Sequence, residues 1–123
     1  MTRYAVMGDP IAQSKSPQIH SQFASLTKQD VAYEKLRVDA HEFPARVKAF
    51  FNGGGGGLNV TVPYKEAAFA LADTASPRAA LAKAANTLGM DVDGKLWADN
   101  TDGIGLVRDL ENNNHCTIKG KNI

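Results

Sequence analysis

The sequence predicts an α/β domain built on a mixed, mainly parallel β-sheet flanked by helices. Strand-like and helix-like segments alternate along most of the 123 residues, an order typical of parallel sheets whose strands are joined by crossover helices. Near residues 87–99, two strand-like segments are separated only by Asp93-Gly94, a dipeptide that favours a two-residue hairpin turn. The sheet is therefore expected to contain one antiparallel hairpin among parallel strands.

Three strands and three helices are predicted in the first half of the chain. The strands cover residues 4–7, 32–38 and 58–62, and the helices begin at residues 16, 42 and 63. Ser16 and Pro17 have the residue types of an N-cap and a first helical position. Ile19, Phe23 and Leu26 then fall on one face of the first helix.

The second predicted helix, residues 42–51, has Phe43, Val47 and Phe50 on one face, which we expect to be its inner face. The five glycines of residues 53–57 predict a flexible connection from this helix to the third strand. They precede a strand, and no Gly-Lys-Ser/Thr sequence follows them, so a phosphate-binding loop is not indicated.

The second half begins with a helix from Ser76-Pro77 to about residue 85, by the same capping logic. The hairpin strands cover residues 87–92 and 95–99, and a last helix starts at residues 100–101. The inner face of that helix is predicted to be Ile104, Val107 and Leu110. Trp97 lies on a hairpin strand and could be either core or surface.

Composition excludes several classes of function. The net charge of +1 gives no electrostatic basis for binding nucleic acid or an anionic membrane. A chain with the single cysteine Cys116 cannot form an intramolecular disulfide, which suits a reducing compartment, so we expect a cytoplasmic protein. His20, His41 and His115 lie in separate elements, and no metal site is predicted.

Polar side chains collect at the junctions where predicted strands lead into helices. Such junctions share one edge of a parallel sheet, where α/β domains bind ligands. The residues at this edge are Ser14, Ser16, Asn59, Thr61, Lys65, Asn100, Thr101 and Asp102. Serines at a helix start suit a carboxylate, and a lysine–aspartate pair can exchange a proton with a reacting oxygen. The site therefore suggests a small polyhydroxylated acid as ligand.

Asn86 joins this group through the predicted hairpin. If Asp93-Gly94 is a two-residue turn, Val92 faces Lys95, and the same register places Asn86 opposite Thr101. Asn86 then returns to the sheet edge that carries the other polar residues. A bulge would shift this pairing by one residue.

At these positions the chain resembles the shikimate dehydrogenase family. The matching segments are Gly8-Asp9-Pro10-Ile11, Ser14-Lys15-Ser16-Pro17, Leu58-Asn59-Val60-Thr61-Val62-Pro63-Tyr64-Lys65, Asn86-Thr87 and Asp99-Asn100-Thr101-Asp102-Gly103. The resemblance implies reduction of 3-dehydroshikimate to shikimate with NADPH. It implies that Lys65 and Asp102 are the catalytic pair and that Ser14 and Ser16 hold the substrate carboxylate. It further implies that Asn59, Thr61 and Asn86, together with the pair, bind the rest of the substrate.

The same resemblance predicts that residues 1–123 form the substrate-binding and catalytic domain, without an NADP-binding domain. Residues 119–123 resemble the lead-in to the first strand of that second domain. We therefore expect the chain to bind shikimate, to hold no cofactor and to lack turnover by itself. Its exposed surface could allow self-association.

Two alternatives remain open at this stage: a quinate/shikimate dehydrogenase domain, and a non-catalytic shikimate-binding module. Quinate carries an additional hydroxyl next to its carboxylate, and the two small serines, Ser14 and Ser16, favour shikimate. A folate-linked dehydrogenase of similar architecture is more remote, because it would not be expected to combine these motifs.

Overall fold

The computed structural model describes residues 1–122 and contains six strands and five α-helices, with a π-helical turn after the last helix. The strands are β1 (Thr2–Gly8), β2 (Val31–Arg37), β3 (Gly55–Val60), β4 (Thr74–Ala75), β5 (Thr87–Met90) and β6 (Leu96–Asp99). The helices are α1 (Ser16–Thr27), α2 (Phe43–Asn52), α3 (Lys65–Leu71), α4 (Pro77–Ala82) and α5 (Asp102–Arg108), and the π turn is Asp109–Asn113.

All six strands form one sheet in the order β2-β1-β3-β5-β6-β4. The pairs β1–β2, β1–β3 and β4–β6 are parallel, whereas β5 is antiparallel to both of its neighbours. Five strands therefore run in one direction and β5 runs against them. This confirms the predicted mixed, mainly parallel sheet with an antiparallel hairpin near residues 87–99.

The hydrophobic core lies between α2 and one face of the sheet. Phe43, Val47 and Phe50 are at most 6% exposed, which confirms the predicted inner face of α2. They join one cluster with sheet residues that include Met7 and Leu88, both fully buried. Removal of this much apolar surface from water provides the main stabilisation of the domain.

The opposite sheet face is more open. Helix α1 has no buried residue, and its apolar face is exposed: Ile19 by 45%, Phe23 by 55% and Leu26 by 81%. Trp97 is 40% exposed, and its ring lies where a Cβ on Gly89 would be, 2.0 Å from the nearest ring carbon. The indole therefore packs against the backbone of Gly89, and Trp97 lies at the surface and not in the core. Ile104, Val107 and Leu110 on the last helix and its π turn are likewise only half-buried.

One predicted N-cap and one predicted helix start are corrected, and α2 and α5 each begin one residue later than predicted. The N-cap of α1 is Lys15, and Ser16 is the first helical residue, whose N–H donates to the Ser14 hydroxyl at 3.3 Å. Helix α3 starts at Lys65 and not at residue 63, because a turn closed by Tyr64 N–H and Thr61 C=O comes first. The Ser76 cap of α4 is confirmed, since its side chain accepts from the Ala79 N–H.

The glycine segment is not simply a flexible connection, because β3 begins at Gly55. A Cβ on Gly55 would lie 2.1 Å from the Phe50 ring, and one on Gly56 would lie 2.5 Å from a side-chain carbon of Thr2. These strand glycines let neighbouring side chains reach the backbone closely, a use of glycine that depends on packing and not on flexibility.

The hairpin register differs by one residue from the prediction. Met90 pairs with Leu96, and Asp91 N–H donates to Lys95 C=O, so the loop between the paired positions has three residues. Gly94 has a φ of +78° and closes the turn that begins at Asp91. Val92 therefore lies in the loop with Asp93 and the left-handed Gly94, and does not face Lys95 as predicted.

Three further observations complete the fold. Strand β4 is a two-residue edge strand that the sequence does not predict. Of the segment 119–123, residues 119–122 contain a turn with a left-handed Gly120, and Ile123 lies outside the described residues. Among residues 1–122, no helix is long and apolar enough to cross a membrane.

Candidate active site

A cleft of about 270 Å³ opens at the carboxyl ends of β1, β3 and β6. Six of the seven predicted site residues line it together, namely Ser16, Asn59, Thr61, Lys65, Asn86 and Asp102. Ser14 is not among the lining residues. It contributes from the loop behind Ser16, through the hydrogen bond between its hydroxyl and the Ser16 N–H.

Lys65 and Asp102 form an ion pair, with 2.7 Å between Nζ and Oδ2. Lys65 is the first residue of α3 and Asp102 the first residue of α5, so two separate strand-to-helix junctions supply the pair. Their side chains are 34% and 50% exposed, which leaves both groups accessible to a ligand in the cleft. A charge-assisted hydrogen bond of this length fixes the position of the ammonium group.

Asn86 connects Asp102 to the sheet. Its Nδ2 donates to Asp102 Oδ1 at 3.1 Å and to Thr101 Oγ1 at 2.8 Å. Its Oδ1 accepts from the Thr101 N–H at 3.0 Å and from Thr87 Oγ1 at 2.9 Å. The corrected hairpin register thus still brings Asn86 to Asp102, because the side chain spans the one-residue difference.

Asn59 and Thr61 lie at the end of β3. Asn59 is held on both sides: its Oδ1 accepts from the Tyr33 hydroxyl at 2.6 Å, and its Nδ2 donates to the Asn86 C=O at 3.2 Å. Thr61 packs so tightly on β1 that a Cβ on Gly8 would lie 2.5 Å from Thr61 Cγ2. Glycine at position 8 therefore allows Thr61 to enter the cleft.

Two polar lining residues are not among the predicted substrate-binding residues. Thr101 was placed at this sheet edge by the sequence but was not assigned to the site, whereas His20 was not predicted there at all. His20 follows Ser16 by four positions on α1, so helical periodicity alone could have identified it. Its ring stacks on Tyr33 with 4.3 Å between centroids and 5° between planes. Burial lowers the pKa of His20 because the protonated ring loses hydration.

A second ion pair supports the β6–α5 junction from outside the cleft. Arg78 Nε and Nη2 each donate to Asp99 at 2.7 Å, and the Ser76 hydroxyl donates at 2.6 Å. Hydrogen bonds from Arg78, Ser76 and the Asn100 N–H hold the pKa of Asp99 well below its usual range, with Arg78 the largest cause. This network anchors the strand end that carries Asn100 and Asp102.

Asn100 then fixes the start of α5. Its Oδ1 accepts from the Asp102 N–H at 3.0 Å and its Nδ2 donates to the Ala84 C=O at 3.1 Å.

Outside the cleft, Asp39, His41 and Glu42 have potential metal-ligand atoms within 4.8 Å of one another. Arg37, however, already pairs with Asp39 at 3.0 Å.

The donor and acceptor groups of the cleft match a small anion with several hydroxyls. Ser16, the first residue of the 12-residue helix α1, lines the cleft, and a carboxylate is favoured there by the helix dipole. The amide of Asn86 and the charged groups of Lys65 and Asp102 also line the cleft and can bind hydroxyls or a carbonyl oxygen.

Sequence comparisons identify the relatives of this chain. A family model for the shikimate dehydrogenase substrate binding domain matches residues 6–88. The chain is 53% identical over 121 residues to the shikimate dehydrogenase (NADP(+)) of Alkalilimnicola ehrlichii and 52% identical over 120 residues to that of Halorhodospira halophila. Each alignment covers 98% of this chain and 44% of the relative, so the chain spans less than half the length of these curated proteins.

Solved structures show the same fold. An Ael1 enzyme from Pseudomonas putida has a TM-score of 0.90 at 47% identity, over 94% of this chain and 42% of that one. A shikimate 5-dehydrogenase from Thermus thermophilus, in complex with shikimate, has a TM-score of 0.89 at 35% identity, over 98% of this chain and 46% of that one. The chain therefore belongs to the shikimate dehydrogenase family, of which it matches the substrate-binding domain.

Proposed function

We propose that residues 1–123 form the substrate-binding domain that binds shikimate and 3-dehydroshikimate, with the Lys65–Asp102 pair as the catalytic pair of the whole protein. The observation that carries this proposal is the 2.7 Å ion pair, which lies in a polar cleft together with Asn86. The names of the relatives, and the shikimate bound to the Thermus thermophilus protein, agree with the substrate.

The substrate carboxylate binds at the serine end of the cleft in this proposal. Ser16 lines the cleft, and the Ser14 hydroxyl accepts from the Ser16 N–H. The ring hydroxyls then extend towards Asn86 and Asp102. Asn59 is engaged with protein groups on both sides, so its contribution is to shape the pocket as well as to contact the ligand.

Lys65 serves the oxygen that changes charge during the reaction. When a carbonyl is reduced, its oxygen develops negative charge and takes up a proton. The ammonium group of Lys65 can stabilise that charge or deliver the proton. Asp102 keeps the ammonium in position and accepts from a neighbouring hydroxyl of the substrate.

The hydride donor binds elsewhere in the protein. A dinucleotide pyrophosphate needs a glycine-rich turn that follows a strand into a helix, whereas the five-glycine segment of this chain leads from α2 into β3. The segment therefore does not fit NADP. We assign the cofactor site to the part of the relatives that lies beyond their matched 44%.

Titration of the 123-residue chain with shikimate tests the proposed ligand. We expect saturable binding, weaker than in a full-length relative, because part of the cleft wall is supplied by the rest of the protein. Ser16→Ala should weaken binding, whereas Ser21→Ala, at an exposed position of the same helix, should not. Tighter binding of quinate than of shikimate would favour the quinate alternative, and no saturation at millimolar concentrations would refute both.

A dehydrogenase assay tests the proposal that this domain binds the substrate while the cofactor binds outside it. The 123-residue chain should bind shikimate without NADP-dependent oxidation of it. Measurable turnover by this chain, after removal of any host enzyme, would show that the cofactor site is not where we assign it.

A further inference from the structure

Tyr33 lies beside the cleft without lining it. It is on β2, and its ring is held against the stacked imidazole of His20. Its hydroxyl donates to Asn59 Oδ1 at 2.6 Å, the shortest hydrogen bond of the Asn59 side chain. Burial raises the pKa of Tyr33 to about 12, with an opposing contribution from the neighbouring Ser16 side chain. The phenol therefore stays protonated and acts as a donor.

A donor at this position decides which way the Asn59 amide faces. The oxygen and nitrogen of a side-chain amide have nearly the same shape, so their orientation depends on their partners. With Tyr33 donating to Oδ1, Nδ2 is directed towards β5, where it donates to the Asn86 C=O at 3.2 Å and Thr87 Oγ1 at 3.4 Å.

The orientation is then passed along a chain of hydrogen bonds. The Thr87 hydroxyl has a single proton, which it donates to Asn86 Oδ1 at 2.9 Å. Asn86 Nδ2 donates to Asp102 Oδ1 at 3.1 Å, and Asp102 Oδ2 accepts from Lys65 Nζ at 2.7 Å. From Tyr33 onwards, each link donates in the direction of the Asp102 carboxylate. A chain with one consistent sense holds its members more firmly than isolated bonds would.

We propose that Tyr33 is a positioning residue for substrate binding: its hydroxyl fixes the orientation of the Asn59 amide. Through Thr87, and together with the Thr101 N–H, it also sets the hydrogen-bonding sense of Asn86 next to the Lys65–Asp102 pair. The proposal rests on the proposed function of the cleft. Tyr33 itself does not touch the ligand. We assign its effect on binding to Asn59, which accepts from its hydroxyl at 2.6 Å.

A double-mutant cycle tests this route. Tyr33→Phe keeps the stacked ring and removes only the hydroxyl. The loss of one net hydrogen bond predicts about two- to tenfold weaker shikimate affinity. In an Asn59→Ala background the same substitution should change affinity less than about twofold, because the group that Tyr33 orients is gone. Tyr4→Phe is the matched control, since Tyr4 pairs with Tyr33 on the neighbouring strand; it should leave affinity unchanged.

A second measurement uses the ligand-free chain and does not require the Asn59→Ala variant to fold. In the ligand-free chain, Tyr33→Phe should shift the NMR signals of the Asn59 side-chain amide and speed the exchange of its protons with water. Tyr4→Phe should not. An unchanged Asn59 amide, or equal losses of affinity in both backgrounds of the cycle, would overturn the positioning role. If the amide responds but no chain variant binds shikimate, Tyr33 still orients the Asn59 amide, whereas the proposed function fails.

Discussion

Replacement of Asn86 by alanine should loosen the candidate site more than any other single amide-to-alanine change in it. The substitution removes four hydrogen bonds, to Thr87, Asp102 and two groups of Thr101. A net hydrogen bond contributes about 0.5–1.5 kcal/mol, and exposed ones lie near the lower limit. Three of these four are exposed, so the predicted loss is about 2 kcal/mol in the free energy of unfolding.

Urea denaturation measures this loss. For a domain of this size, about 2 kcal/mol corresponds to a midpoint lower by roughly 1 M urea and a melting temperature lower by roughly 8 °C. Asn52→Ala, at an exposed position at the end of α2, is the matched control and should change stability by less than about 0.5 kcal/mol. If the two variants are equally stable, the hydrogen-bond arrangement around Asn86 is not what holds Asp102 in place.

Three further predictions concern the pair, the open sheet face and the supporting ion pair. Lys65→Met should weaken shikimate binding at least about tenfold, and unchanged affinity in calorimetry would remove Lys65 from the site. Gly89→Ala should cost about 1–3 kcal/mol and shift Trp97 fluorescence, because the new Cβ would lie 2.0 Å from the indole; Gly103→Ala, with open space at its Cβ, should do neither, and equal stability of the two variants would contradict the packing. Asp99→Asn should lose about 1–2 kcal/mol at neutral pH. The folded-state pKa of Asp99 lies below its unfolded value of 3.8. The stability difference between wild type and Asp99→Asn should therefore be complete above pH 3.8 and should shrink as the pH falls below it. The same stability difference at pH 7 and at about pH 2.5 would contradict this prediction.

The candidate site was largely predictable from sequence, because the topology of a parallel sheet constrains it. Strand-to-helix junctions share one sheet edge, so the positions of Ser16, Thr61 and Lys65 in the chain were enough to bring them together. Asp102 followed from the same rule. The return of Asn86 to the same edge was also predictable from the hairpin. Its individual hydrogen bonds to Thr101 and Asp102 were not, because they depend on side-chain geometry.

The hairpin register illustrates what the sequence leaves undetermined. Asp-Gly suits a two-residue turn as well as the last positions of a three-residue loop. The Asp91 carboxylate selects the longer loop here, because Oδ1 accepts from the N–H groups of both Asp93 and Lys95 at 2.9 Å. Such a local hydrogen bond is decided by side-chain geometry, which a dipeptide pattern does not contain.

For α1, hydrophobic periodicity predicts the apolar face but not its burial. The spacing of Ile19, Phe23 and Leu26 indicates an apolar helix face, but not what covers it. Within residues 1–122 this face remains exposed. The core face of α2, in contrast, was predicted correctly, because Phe43 and Val47 contact sheet residues of the same domain.

Site-resolved NMR of the 123-residue chain during titration with shikimate tests the central claim most directly. The account predicts saturable shifts concentrated at Ser16, Thr61, Lys65, Asn86 and Asp102, with Trp97 and α2 unaffected. Shifts that do not saturate, or that centre on the open sheet face around Trp97, would show that the cleft is not the site where this domain binds its ligand.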